Sequence, residues 1–445
     1  MKVEGFIRLF KKGFLQLCIF FYIYSVQLTG IPFGSRILLA MSGFAILVFT
    51  IDKQVKTFKQ ILIKKELLTY FFLFGLIILV SVLSLILNNT RDYEFVKYPV
   101  SLVLIILAAY FIHFIAKKTY RNISYETIMK YILVAVLIQV MLALLSFLFP
   151  PFADILNRIQ SISEFDISKL EETAEFRLTG FGATFFGAGI VNSYALLIVA
   201  VLLSNPGNSN RRIFFLTLSF IMVFVLGMMM ARTTIIGLGM AAIYLLTPSL
   251  KANRRIIKNK LLFLLNLILL PIAGLYLLFL VSPKLQDTLS SAAAFGFEMF
   301  INYSEQGEFS SKSTSVLQTM FIFPDNMKTY LIGDGRYYQV AGDPGSSYYM
   351  GTDVGYLRLT YYFGIFGMVC YFILQFAGIE SAISKNPGNK PLKKFLLLSF
   401  ICCLILNVKG FTDFFFLTIL FSFCFSPPVN SEAGSFAERK CRTVM

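Results

Sequence analysis

The chain has no tryptophan, one histidine, and charged residues at only 14% of its 445 positions. A soluble domain carries about a quarter charged residues, so that class is excluded. With 57% hydrophobic residues and a mean hydropathy of +0.73, the composition is that of a polytopic membrane protein. The lone His113 rules out a His-rich metal cluster, and beside Lys117 and Lys118 it reads as an interfacial residue and a poor base. Cysteine is sparse as well. Cys18, Cys370, Cys402, Cys403, Cys424 and Cys441 all fall in predicted spans or the C-terminal tail, which supports neither a disulfide framework nor a C-x-x-C metal site. Acidic residues number 24 against 40 basic ones, leaving a formal charge of +16. In a soluble protein that excess would suggest nucleic acid; here the collection of Lys and Arg in cytoplasmic loops accounts for it, and no nucleic-acid partner is expected. The first apolar run lacks an A-x-A-like exit and reads as an uncleaved anchor.

What is abundant is the long apolar run. A span needs about 20 apolar residues, and runs of that kind lie near 14–31, 37–51, 67–87, 99–116, 128–149, 181–203, 213–231, 233–247, 261–282, 354–376, 395–408 and 411–425. The expected architecture is all-α and polytopic, with about twelve transmembrane helices. Basic residues cluster in alternate connections: Lys2, Arg8, Lys11 and Lys12; Lys53, Lys56, Lys59, Lys64 and Lys65; Lys117, Lys118, Arg121 and Lys130; Arg211 and Arg212. The same side continues with Lys251, Arg254, Arg255, Lys258 and Lys260, then Lys385, Lys390, Lys393 and Lys394, then Arg439, Lys440 and Arg442. These are roughly 27 of the 40 basic residues, so that side should be cytoplasmic, with both termini inside.

Four regions follow. Residues 1–282 form a membrane domain with an outer loop near 150–180, acidic through Glu164, Asp166, Glu171, Glu172 and Glu175; 283–353 form a large extracytoplasmic loop. Residues 354–427 are C-terminal transmembrane helices, and 428–445 a cytoplasmic tail. Long loops without structure of their own usually bind or cover something. This one carries two predicted surface helices, around 285–303 and 314–323, and then a Gly-rich run with Tyr337, Tyr338, Tyr348 and Tyr349.

Two pairs of spans are short for two full crossings and a turn. Between 213 and 247 the turn holds Arg232; between 395 and 425 it holds Lys409-Gly410, with Asp413 close behind. An arginine at mid-bilayer costs about 2.5–3.5 kcal/mol, and less near an interface. Arg232 and Lys409 therefore either snorkel to headgroups as anchors or face a bound anion, and two such hairpins in one chain tilt the reading toward function. Arg177, before the small-residue run 178–189, and Arg358, one turn into its span, fall at the same level, and Arg336 follows a Gly-Asp-Gly turn. Guanidinium forks grip phosphate oxygens in bidentate fashion, so this set suits a pyrophosphate. Arg336 equally fits a solvated loop residue, and Arg177 or Arg358 an ion pair with Glu175 or Asp353. Asp353 fits acid–base work or, more ordinarily, a helix N-cap. Tyr337 and Tyr338 could stack on sugar rings or belong to an interfacial belt.

From about Arg177 to Lys409 the chain resembles the Wzy/WaaL superfamily of bacterial O-antigen polymerases and ligases. The resemblance rests on Arg177-Leu-Thr-Gly-Phe-Gly with Asn192 downstream, Ala231-Arg232-Thr-Thr, Leu331-Ile-Gly-Asp-Gly-Arg336, and Thr352-Asp-Val-Gly-Tyr-Leu-Arg through Gly367, the last most like the polymerases. It implies a GT-C-like, metal-independent glycosyltransferase without cofactor, which moves a growing glycan from undecaprenyl diphosphate to a new lipid-linked repeat unit. The product would be O-antigen, capsular or exopolysaccharide, made at the outer face of the bacterial inner membrane; a chain-length regulator is a possible partner. Arg232 and Asp353 would be the catalytic pair. Arg177, Arg232, Arg336, Arg358, Lys409, Tyr337 and Tyr338 would bind diphosphate and glycan. Ligases carry a histidine near the position of Thr352-Asp353, and none stands here, which argues against the ligase alternative. At Arg177 the Arg-x10-Gly pattern of some polymerases meets Ala188. A flippase is the remaining alternative, disfavoured because transporters place charged sites near the midplane and show repeated halves.

Overall fold

Backbone in lipid must satisfy its own N–H and C=O groups, and a helix does so within one segment. The computed structural model describes residues 2–51, 65–120, 123–161, 172–173, 175–182, 185–247, 254–279, 283–343 and 345–423. Among these the regular structure is helical, with isolated bridges and no strand. Six described helices are long and apolar enough to cross a membrane: Leu68–Asn88, Glu94–Thr119, Tyr125–Leu148, Phe185–Leu203, Asn210–Met230 and Gly355–Ser384. Ser35–Phe49 and Thr234–Leu246 are apolar but shorter. On the Lys65–Asn88 helix the outward residues Phe72, Leu79, Leu83 and Ile86 are as apolar as the inward Leu73, Ile77 and Val80. Only an apolar solvent suits such a face. The chain is an α-helical membrane protein. The basic run at 53–64, the acidic Glu164, Asp166 and Glu171, and the tail at 428–445 lie outside the described residues.

The centre of the bundle is the Phe185–Leu203 helix, in which every side chain from Ala188 to Leu203 is buried. It packs against Asn210–Met230, Thr234–Leu246, Tyr125–Leu148 and Lys390–Leu406. Close approach comes from small residues: a Cβ on Gly237 would run into the backbone of Ser193, and one on Gly189 into Thr233.

The hairpin expected over 395–425 departs from two helical legs. Lys390–Leu406 is helical, but helix resumes only at Phe415–Thr418, followed by a 3-10 turn at Ile419–Phe423. Side chains take over the backbone's hydrogen bonds in between. The Asn407 amide accepts from Thr412 N (3.1 Å) and donates to the carbonyls of Thr412 (3.1 Å) and Cys403 (2.8 Å). Tyr371 also donates to Thr412 O, and Asp413 accepts from Phe415 N and from the Tyr98 hydroxyl. This irregular backbone survives because it is enclosed by protein, with Asn407, Thr412 and Phe414 all buried.

In the large loop the helices run over Pro283–Gln306, bent at Phe297, and Lys312–Thr319, capped by Ser311. The loop's end is clasped to the bundle. The Gly355–Ser384 helix opens at Phe363 (φ −139°) and Gly364 (φ +71°), which frees two carbonyls. Tyr361 O then accepts from Asp334 N (2.6 Å) and Tyr362 O from Gly335 N (3.1 Å). From the other side, Asn88 donates to Gly333 O and Thr90 to Gly335 O. Asp92, fully buried, accepts from the amides of Tyr337 (2.8 Å) and Tyr338 (3.1 Å).

Candidate functional site

The Asn210–Met230 helix ends with carbonyls that have no partner within it. Arg177 supplies one: its Nε donates to Met230 O at 2.7 Å, while Leu178 N bonds Met229 O. The guanidinium also lies 4.5 Å from the Phe185 ring and 5.3 Å from that of Phe295. Arg232, in the three-residue turn that follows the same helix, sits 4.2 Å from that Phe295 ring. Its Nε donates to Phe295 O (2.7 Å), its Nη1 to Ser313 Oγ (3.1 Å), and its Nη2 pairs with Glu298. Lys409 completes the group, with Nζ on Ser313 O at 3.1 Å. The turn carrying it rests on Phe186, next to the ring that Arg177 covers.

Three cations from three distant parts of the chain thus meet around Phe295 and Ser313, both supplied by the large loop. Their proximity shows in their acidities. Burial, and after it the Arg232 charge, lower Arg177 to about 10, which leaves it protonated at neutral pH. Burial lowers Lys409; Asp353 works against that, and Arg232 and Arg177 reinforce it. Asp353 itself is exposed and does not cap a helix. The N-cap is Val354, which makes no side-chain cap; its own amide is taken by Thr352 Oγ1 (3.2 Å). The reason is geometric: the helix begins one residue later than the Asp-Val boundary suggests.

Arg358, Tyr337 and Tyr338 form a second group beside the first. Arg358 is 8% exposed, with its Cζ 3.4 Å from the Tyr348 ring centre, 4.2 Å from Tyr337 and 5.9 Å from Phe411. Desolvated cation–π contacts are worth up to about 2 kcal/mol. Phe411 is two residues past Lys409, so one turn lends a cation to the first group and a ring to the second. Tyr337 is buried, so its ring is no open stacking platform; Tyr338 is half-buried. Arg336 joins neither group; it is exposed and lies 5.7 Å from the Tyr349 ring.

Comparison with protein-family models, curated proteins and solved structures finds no match.

Sequence reasoning passes over Phe295, Glu298, Ser313 and Asp92. Glu298 had a signal, as the one charged residue between Asp287 and Glu305. Asp92 had none, since its neighbours form an ordinary polar connection. Away from both groups, at the opposite end of the Thr234–Leu246 helix, lies a cavity of about 820 Å³ lined by Tyr125, Glu126, Asn205, Tyr244, Lys260 and Lys394. Two of its three lysines are engaged in closing that helix: Lys260 donates to Leu245 O and Lys394 to Tyr244 O (2.7 Å). That is a capping arrangement, and the cavity is not the candidate site.

Proposed function

We propose that the protein is a glycosyltransferase that polymerises oligosaccharide repeat units carried on undecaprenyl diphosphate. The observation that carries this reading is the convergence of Arg177, Arg232 and Lys409 on Ser313 and Phe295 under the loop helices. Three fixed cations outweigh the two nearby carboxylates, Glu298 and Asp353, and a donor's diphosphate would supply the missing negative charge. As the glycosyl bond breaks, charge grows on the leaving diphosphate. Donors already aimed at it stabilise that charge without reorganising, an effect of about 10²–10³ in rate per donor. Asp353, whose charge acts on Lys409, is the carboxylate available to take a proton from the attacking hydroxyl. In this reading the chain has about twelve spans in a GT-C-like arrangement. Both termini are in the cytoplasm, and the site faces outward across the bacterial inner membrane. The acceptor is a second lipid-linked unit.

Deleting the gene tests the class. Polymerisation gives cells whose surface glycan carries single repeats. Loss of all external repeats, with lipid-linked units kept inside, would instead identify a flippase.

Binding of inorganic pyrophosphate should also weaken with alkaline pH. A cation whose pKa is lowered loses its proton earlier as pH rises, so binding should be lost in two steps, as Lys409 and Arg177 give up their protons. Lys409→Arg should move the loss to higher pH. A pH profile of Lys409→Arg identical to that of the wild type, with neither step moved, would exclude Lys409 from anion binding.

A further inference from the structure

Arg358 presents a problem that the diphosphate reading does not solve. Its Nε is buried without a partner, and among the described residues the guanidinium makes no hydrogen bond or ion pair. The neighbouring carboxylates, Asp92 and Glu94, leave its donors unbonded. Asp92 spends Oδ2 on the Tyr337 and Tyr338 amides and Oδ1 on the Glu94 amide. Glu94 lies within electrostatic reach of Arg358, but it is exposed and no hydrogen bond or ion pair joins the two. A buried guanidinium held by rings alone has its five donors unspent.

The rings also decide what could use those donors. Tyr348 and Tyr337 lie against the guanidinium at 3.4 and 4.2 Å. Its donors lie in its own plane, and two of them side by side match two oxygens of a carboxylate or phosphate. Tyr348 and Tyr338 are half-buried, their rings stacked at 6.1 Å, and they close the base of a small hairpin whose tip at Gln339, Val340 and Gly342 is exposed. A ligand arriving from that side meets aromatic surface, which packs against the C–H face of a pyranose, before it meets the cation. The three-cation group is centred elsewhere: Arg232 bonds Ser313 Oγ and Lys409 bonds Ser313 O, and no contact joins Arg358 to Ser313 among the described residues.

We infer that the Arg358 box is a subsite for a saccharide bearing an oxyanion, either a carboxylate or a phosphate ester. That this saccharide belongs to the repeat unit rests on the polymerase reading; the preference for a charged sugar does not.

The absence of tryptophan makes tyrosine emission a direct probe. The full chain in detergent micelles would be titrated with glucuronate, glucose 1-phosphate, glucose and inorganic pyrophosphate. One or both charged sugars should bind at least tenfold more tightly than glucose, the stronger of the two naming the oxyanion. Arg358→Gln should remove that preference and leave pyrophosphate binding, which Arg232→Gln abolishes, unchanged. Arg358→Lys keeps the charge without the fork and should retain only part of the preference; it decides the matter if Arg358→Gln does not fold. Equal binding of all three sugars, binding of none, or a charged-sugar preference that survives both variants overturns the subsite. Loss of pyrophosphate binding in Arg358→Gln overturns it too, by assigning Arg358 to the diphosphate. If pyrophosphate fails to bind the wild-type protein while charged sugars still do, the polymerase reading falls and the subsite stands.

Discussion

Arg232→Gln should leave the protein in the membrane at normal levels and reduce polymer formation by about 100-fold or more, the scale seen when one donor to a developing oxyanion is removed. The argument rests on what Arg232 does in the resting structure. Its three donor nitrogens contact Phe295 O, Ser313 Oγ and Glu298, all from the large loop. Glu298 therefore holds the position that a phosphate would need, and binding becomes an exchange of one anion for another. Two further variants separate catalysis from simple loop anchoring. Arg232→Lys keeps the charge but not the bidentate geometry, and should fall between wild type and Arg232→Gln. Glu298→Gln removes the competitor; a partly buried pair of this kind is worth about 1 kcal/mol, so pyrophosphate should bind roughly 5-fold more tightly. A mere anchor predicts the reverse, since freeing the loop would loosen the site. Full-length glycan from Arg232→Gln cells would remove the residue from the chemistry, and weaker pyrophosphate binding by Glu298→Gln would make Glu298 a support for the site.

The cations were legible in the sequence because charge in an apolar chain is expensive. A lysine or arginine that survives at the turn of a short hairpin has to face something polar, and Arg177, Arg232 and Lys409 do so together. Most of the helices were legible for the same reason, since runs such as 185–203 and 210–230 admit no other structure in lipid. What could not be read was set by tertiary contact. The second leg of the last hairpin is as apolar as a span, yet Asn407 and Asp413 satisfy the backbone at its start well enough for helix to resume only at Phe415. Glu298 sits in a stretch that reads as an ordinary surface helix, and only its meeting with Arg232 gives it meaning. Arg358 was marked as a cation near the site. Its separation from the other three depends on Tyr348 and Phe411, one on each side of it in the chain and neither on its own turn of helix.

The largest structural effect is expected from Gly364→Ala. At φ +71° an alanine meets a backbone penalty of about 1–2 kcal/mol. Its Cβ would also collide with the carbonyl of Leu331, part of a main chain that cannot step aside. Relief requires the Met327–Ile332 helix to lift, which breaks the bonds from Asp334 N to Tyr361 O and from Gly335 N to Tyr362 O. Tyr361 O is left bare, at about 1–3 kcal/mol, whereas Tyr362 O keeps the Ser84 hydroxyl at 2.7 Å; with the backbone penalty the loop end should be destabilised by roughly 3 kcal/mol. Gly351→Ala is the matched control. Its φ is +64°, but nothing lies within 4 Å of its Cβ position, so only the backbone penalty applies. Hydrogen exchange over residues 327–349 should rise steeply in the first variant and little in the second; similar rises in both would show that the clasp does not hold the loop. The consequence reaches function unevenly. Arg358 stands just before the break and Tyr337 just after the docked turn, so the clasp joins the two halves of the aromatic box. Arg177, Arg232 and Lys409 are instead tied through Phe295 and Ser313, upstream of the clasp. Gly364→Ala should therefore lose binding of the charged sugar while still binding pyrophosphate, a split that general misfolding would not produce.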